Sequence, residues 1–436
     1  MVLETAQRRT MEKPALNNDL LSLILSKGNV HKAWKQVKAN HGGPGIDGIT
    51  LESFLSEIGP RWDKIRRALM QGYYVPAPVK RVEIPKKTGG TRKLGVPTVL
   101  DRVIQQAMAQ VLSTIFDPGF SQGSFGFRPN RSAHGAIKRV HEYVKQGYRW
   151  AVDVDLEKFF DTVDHDTLIH YVGLKVRDKS VLKLIGRYLR AGTIDKVGKK
   201  IPSPIGTPQV GPLSPLLSNI LLHELDLELE RRQAHFARYA DDFVIVTKSQ
   251  AEGEVVLGEI TEFLDKRLHL RVNTTKSKVV PIQECQFLGF TFKDKKICWS
   301  RQAFLDFQTK VKKLTGRSWG VSMKHRLIQL KLFVNGWVNY FGISQFYSPI
   351  PGIDNWIRRR IRMCYWKQWR YVRTRIQKLL ELGVPKHLAV PAGSSSKSYW
   401  RSSKTYAINL GMSNKWLDLQ GVPNVKSLWC KAQGYT

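Results

Sequence analysis

The chain has 436 residues, enough for two or three domains, and 42% of them are hydrophobic, ample for a core. Its 70 Lys and Arg against 36 Asp and Glu leave a formal charge of +34, which points to a polyanionic partner, nucleic acid before a membrane surface. No run of 18 apolar residues is present, so no membrane span is expected, and the polar stretch from Met1 to Asn18 has no apolar core of a secretion signal. Cys285, Cys298, Cys364 and Cys430 are scattered, which argues against zinc and against a disulfide framework and fits a reducing cytoplasm.

Residues 1 to about 75 read as helices between Gly-rich breaks, with Val30, Ala33, Trp34 and Val37 at helical spacing. Gly42-Gly43-Pro44-Gly45-Ile46-Asp47-Gly48 is a loop. From 76 to 100 the period shortens to two, and Gly89-Gly90 joins two strands into a hairpin. Lys86 and Arg92 flank that turn, so both cations can reach one anion. Thr98 to Asp101 forms a capping box for a helix that buries Val103, Ile104, Ala107, Met108, Val111, Leu112 and Ile115.

Trp150 to Leu156 alternates, placing Asp153 and Asp155 on one face of a strand and Val152, Val154 and Leu156 on the other. Phe159 and Phe160 follow, one expected in the core. His165, in an Asp-His-Asp run, reads as a helix-start residue. Phe236 to Thr247 reads as two strands joined at Tyr239-Ala240-Asp241-Asp242. Adjacent carboxylates on a hairpin repel and lose hydration, and a divalent cation offsets that cost. An acidic strand, an aromatic residue five positions on, and a hairpin with paired acids suit two-metal phosphoryl transfer.

These motifs, together with Ser124-Phe125-Gly126-Phe127-Arg128-Pro129-Asn130-Arg131 and Pro208-Gln209-Val210-Gly211-Pro212-Leu213-Ser214-Pro215, resemble the group II intron-encoded reverse transcriptases and maturases, in a short form without a His-Asn-His endonuclease. The resemblance implies an α+β right-hand polymerase with fingers, an antiparallel palm and a helical thumb. It divides the chain into an N-terminal extension (1–75), fingers and palm (76–298), thumb or maturase domain (299–385) and a basic DNA-binding domain (386–436). It implies Asp155, Asp241 and Asp242 as ligands of two Mg²⁺, with Mn²⁺ as substitute. Lys86 and Arg92 would hold the dNTP triphosphate, Phe160 would exclude a ribose 2′-OH, and Gln209 would contact the dNTP. Lys276 is either a proton donor near the pyrophosphate or a surface lysine. Arg128 and Arg131 either meet the template backbone or are pinned by an internal carboxylate. The Gly-rich loop at 42–48 either covers template and nucleotide or merely joins helices.

Val210 stands where the family has Gly, at a point of close backbone approach. Residues 257–270 read as an amphipathic helix, and Phe287 to Phe292, with Gly289, as a short strand that resembles the family's segment holding the primer end. From Arg301 onward 24 basic residues face 4 acidic ones and eight Trp occur, a basic and aromatic composition suited to phosphates and bases. There, Ile353, Ile357, Ile361 and Cys364 form an apolar stripe, with Arg358, Arg359, Arg360 and Arg362 expected outward, Arg358 and Arg362 on nucleic acid. Pro391 to Ser398 reads as a linker.

Expected partners are an RNA template, a DNA or RNA primer, dNTPs and intron RNA, in a cytoplasmic, nucleoid-associated setting. Three uses stay open on these residues: a mobile intron's maturase, a host-adopted enzyme of DNA repair or phage defence, and an RNA-binding splicing factor with an inactive polymerase.

Overall fold

A computed structural model describes residues 19–85, 89, 91–195, 198–202, 205–206 and 211–435. Lys86, Gln209 and Val210 therefore lie outside the described residues. The chain divides into two compact units: residues up to Tyr143 with Gly147–Pro281, and Ile282 onward with Val144–Gln146.

Among the described residues the first unit carries eight strands: β1 (Val79–Pro85), β2 (Thr91–Val96), β3 (Trp150–Val154), β4 (Thr193–Ile194), β5 (Lys200–Ile201), β6 (His235–Tyr239), β7 (Asp242–Thr247) and β8 (Lys278–Pro281). Antiparallel β1 and β2 form the expected hairpin, extended by β4 and β5 into a small sheet. The second sheet has the order β6-β7-β3-β8 and is antiparallel throughout. Its apolar alternation buries Val152 and Val154 on β3 and Phe243 and Ile245 on β7 in one core.

The N-terminal helices belong to that same core. Trp34 stacks on Phe54 at 4.6 Å, and both are buried with Val103 and Ile104. The helix Val99–Phe116 starts as expected: the Thr98 hydroxyl accepts from the Asp101 N–H at 3.1 Å. Asp101 is itself 1% exposed. Its carboxylate accepts from the hydroxyls of Tyr74 (2.7 Å), Tyr188 (3.1 Å) and Thr98 (2.8 Å) and from the Ala77 N–H (3.2 Å). Burial pushes its carboxyl upward, and those donors oppose the rise. One satisfied acid thus ties the segment 74–77 and the helix Lys179–Arg190 to the central helix.

The second unit contains β9 (Phe290–Lys293), β10 (Lys296–Trp299) and the long helices Arg301–Leu314, Met323–Phe341 and Ile350–Gln368. Phe287 to Phe292 is not one strand. Leu288 (φ 51°) and Gly289 (φ 80°) form a two-residue turn, closed by reciprocal Phe287–Phe290 hydrogen bonds of 3.0 and 2.9 Å. A helix, Lys386–Gly393, runs through the expected linker as far as Gly393. Leu417, Val422, Val425 and Trp429 share a core with Leu330, Val334, Ile357 and Ile361, so residues past 386 do not form a core of their own there.

That shared core corrects the outward placing of Arg358 and Arg362, which are 2% and 7% exposed. Arg358 donates to Asp354 (3.0 Å), Asp418 (2.7 Å) and the Asn414 carbonyl (3.0 Å). Arg362 donates to the Met412 carbonyl and Asn414 Oδ1, both at 2.8 Å. The stripe of Ile353, Ile357, Ile361 and Cys364 is buried as read. The arginine face is covered too, because residues 412–418 lie against it, and both guanidiniums are spent holding that segment.

Candidate active site

β3 ends at Val154, and Asp155 follows in a short non-helical segment. The Asp155 N–H donates to Ser277 Oγ at 3.0 Å and its carbonyl accepts from the Asn273 N–H at 2.8 Å, so the residue is fixed from 120 positions away. Lys158 turns the chain with φ 48° into the helix Phe159–Thr162. The turn sends Phe159 into the core, 2% exposed, and leaves Phe160 half-buried and edge-on to it at 5.2 Å. His165 has the structural part expected: it begins the helix His165–Gly173, and its Nε2–H donates to the Gly206 carbonyl at 2.6 Å.

The hairpin β6–β7 turns through Ala240 and Asp241, with Tyr239 paired to Asp242. Ala240 has φ 60°, a conformation alanine adopts at a cost. Its surroundings impose that shape. Arg238, 0% exposed, donates to the Ala240 carbonyl (3.0 Å), Asn219 Oδ1 (3.0 Å), Ser124 Oγ (2.9 Å) and both oxygens of Asp226 (2.7 and 2.5 Å). Asp226, on the helix Ser214–Arg231, is also 0% exposed. From the other side, the Phe125 N–H donates to the Arg238 carbonyl at 2.8 Å, and the Asn219 amide holds the Gly126 carbonyl at 2.8 Å. A Cβ on Gly126 would meet Ala240 N at 2.3 Å. The Ser-Phe-Gly-Phe motif is therefore a backbone brace for the carboxylate turn, a part that its sequence did not disclose. Arg238, Asp226, Asn219 and Ser124 were missed as well. Arg238 lies on a strand whose alternation says nothing of an ion pair formed with a distant helix.

Asp155, Asp241, Phe160, Arg92, Lys276, Asn273, Lys93 and Lys158 line one cavity of about 760 Å³. Burial raises the Asp241 carboxyl, the Asp155 charge adds to the rise, and Arg92 opposes it. Lys276 Nζ lies 3.2 Å from Asp155 Oδ2. Asp242, exposed at the first position of β7, is not among the residues lining this cavity. Among the described residues, no three His, Cys, Asp or Glu side chains are close enough to hold a metal ion. Of the three expected carboxylates, Asp155 and Asp241 line the cavity, and Glu157 and Asp161 line it as well. Paired hard oxygen donors, one destabilised as an anion by burial and by its neighbour, nevertheless fit a divalent cation, which would offset both penalties.

Arg128 is consumed internally, correcting its template role. Its guanidinium donates to Asp117 Oδ1 at 2.8 Å and to the carbonyls of Ser121 (2.6 Å), Ser124 (3.0 Å) and Asp117 (3.0 Å). Arg131 is half-exposed, bonds Gln122 and lies over the Phe125 ring at 5.4 Å. Gly289, in the other unit, is needed for its turn, where a Cβ would also press on Phe341 at 3.2 Å.

An antiparallel sheet bearing a carboxylate hairpin, a basic hairpin and a helical unit is the architecture of a right-hand polymerase. Residues 84–292 match the reverse transcriptase (RNA-dependent DNA polymerase) family, and residues 305–381 match the group II intron maturase-specific domain. Protein YkfC of Escherichia coli is 33% identical over 287 residues, spanning 57% of this chain and 74% of that protein. The group II intron-encoded protein LtrA of Lactococcus lactis is 37% identical over 239 residues, 54% of this chain but only 39% of that one. Among solved structures, a chain of a partial Cas6-RT-Cas1–Cas2 complex is 26% identical, covering 57% of this chain and 42% of that one at a TM-score of 0.37. The chain belongs to the group II intron-type reverse transcriptase and maturase family. Reverse transcriptases depend in general on divalent metal, and among the described residues no helix is long and apolar enough to cross a membrane.

Proposed function

We propose that the protein copies RNA into DNA at the cavity shared by Asp155 and Asp241, assisted by Asp242, and serves a group II intron as maturase and in retrohoming. The observation that carries this reading is the meeting of Arg92, Asp155, Phe160, Asp241 and Lys276 around one cavity from four separate stretches of chain. Asp155 and Asp241 would hold two Mg²⁺, which when bound lower the pKa of the primer 3′-OH and neutralise charge on the triphosphate.

The chain's own groups do the rest. Arg92 offers a forked cation to the polyphosphate, with Lys86 as its proposed companion. Phe160, which lines the cavity, would collide with a ribose 2′-OH. Lys276, 3.2 Å from Asp155 Oδ2, would meet the departing pyrophosphate, as charge or as proton donor. Gln209 is the proposed dNTP contact, and Arg131 the template contact left once Arg128 is spent inside. The helical unit, with its match to the maturase-specific domain, supports binding of intron RNA.

Primer extension on an RNA template tests the assignment. Asp241→Ala should lower incorporation by at least about a thousandfold, with near-UV circular dichroism and primer–template binding retained. Continued polymerisation by that variant would remove the site. Phe160→Ala should admit ribonucleotides; unchanged discrimination would free Phe160 of the gate role.

A further inference from the structure

A second cavity, of about 870 Å³, lies wholly within the helical unit. Its lining includes Lys310, Lys313, Arg317, His325, Trp319 and Trp400. No Asp or Glu lines it. Among the described residues, no carboxylate pairs with Lys310, Lys313 or Arg317. Clustered cations without acids repel one another, so an anion in the cavity would relieve that repulsion.

Part of this charge has a local explanation. Lys313 sits in the last turn of the helix Arg301–Leu314, where the carbonyl ends favour a cation. His325 is the reverse case. It stands in the first turn of the 19-residue helix Met323–Phe341, which has no acidic residue there and whose amide ends favour an anion.

The two tryptophans supply the second, independent observation. Both are half-buried yet line the cavity. The Arg326 guanidinium covers the Trp319 ring at 5.3 Å, and His325 meets it edge-on at 5.8 Å. Arg359 lies 3.7 Å over the Trp400 ring and donates to the Trp400 carbonyl at 3.0 Å. Arg360, bonded to Thr315 Oγ1 and the Lys312 carbonyl, fixes the floor. Flat apolar rings held still beside unpaired cations match a nucleobase with its phosphate, and the volume admits a nucleotide.

We propose that this cavity binds one unpaired nucleotide of a single-stranded nucleic acid, the base against Trp319 and Trp400 and the phosphate against Lys310, Lys313 and Arg317. A base held in a duplex cannot leave its stack without cost, so the site prefers single strands. It lies in the unit without the carboxylates, and it holds whether or not the chain polymerises.

The test uses the full chain, EDTA and no dNTP, so its outcome is separate from that of polymerisation. The probe is a single strand of about 12 nucleotides carrying 2-aminopurine, with the same sequence as a blunt duplex for comparison. The wild type should quench the base in the single strand and not in the duplex. Trp319→Ala should abolish the quenching and weaken single-strand binding by about tenfold, the order of one base–aromatic stack. Lys313→Gln with Arg317→Gln, both at exposed positions, should reduce the salt slope for the single strand by about 1.4 even if the tryptophan variant unfolds. Quenching unchanged in Trp319→Ala overturns the proposal. So does an equal loss of single-strand and duplex binding in the double variant, which would make the cations a general phosphate patch.

Discussion

Both units bury arginines, but they bury them for different ends. In the sheet-bearing unit, Arg238 is sealed with Asp226 at 0% exposure, and its remaining donors shape a turn whose next residue faces a cavity. In the helical unit, Arg358 and Arg362 act as struts between the helix Ile350–Gln368 and residues 412–418, remote in sequence. The first is positioning and the second is assembly. The difference shows that a buried charge in this protein must be judged by what its spare donors hold.

The sharpest way to break the comparison is at Arg238. Arg238→Ala leaves Asp226 buried without its partner and should cost roughly 3–5 kcal/mol, read as a fall in urea midpoint, with incorporation lost. Replacing both, as Arg238→Met with Asp226→Leu, should recover much of that stability but not incorporation, because nothing then holds the Ala240 carbonyl. Recovery of both would reduce Arg238 to a stability residue. Arg358→Ala should cost about 2–4 kcal/mol and free residues 412–429 for proteolysis, while the sheet-bearing unit keeps its own cleavage pattern. Gly126→Ala comes next: the added Cβ must displace the Ala240 backbone, so incorporation should fall well beyond the loss of about 1–2 kcal/mol in stability.

The smallest effect tests a buried base in the first unit. His223, edge-on to Phe120 at 5.4 Å, is held down to about 4 by burial, with Lys175 and Arg238 adding to the effect. The unfolded chain protonates this imidazole near its ordinary 6.5. Its contribution is therefore complete above pH 6.5 and is lost as pH falls toward 4, since the unfolded state takes up the proton first. With screening at its partly exposed site, the loss should be on the order of 1–2 kcal/mol, and urea midpoints of wild type and His223→Phe should converge in that window.

The strand of Asp155 and the hairpin of Asp241 were legible because their strands are short and apolar; the choice of Asp155 over Asp153 came with the resemblance, and the strand ends at Val154 rather than Leu156. Phe160 was legible as one of two aromatics, but its direction came from the turn at Lys158 rather than from strand alternation. The hairpin β1–β2 was legible from its alternation and its Gly-Gly turn, and the α+β architecture came with the resemblance. Arg238, Arg358 and Arg362 were not legible, and Arg128 was legible only as one of two alternatives. Asp117, Asp226 and Asp418, which pair with Arg128, Arg238 and Arg358, lie 11, 12 and 60 residues away, and an apolar stripe predicts one buried face without saying whether another segment covers the second. Of the adjacent pair, Asp241 lines the cavity and Asp242, at the first position of β7, does not.

The segment after residue 406 is no detachable cassette. Trp429 donates its indole N–H to the Ser344 carbonyl at 3.0 Å, and Val425 N–H reaches Asp354 at 2.9 Å. A chimera that grafts this stretch from a relative must bring along the matching side of the helix Ile350–Gln368, or it will leave two guanidiniums and an apolar seam facing a stranger.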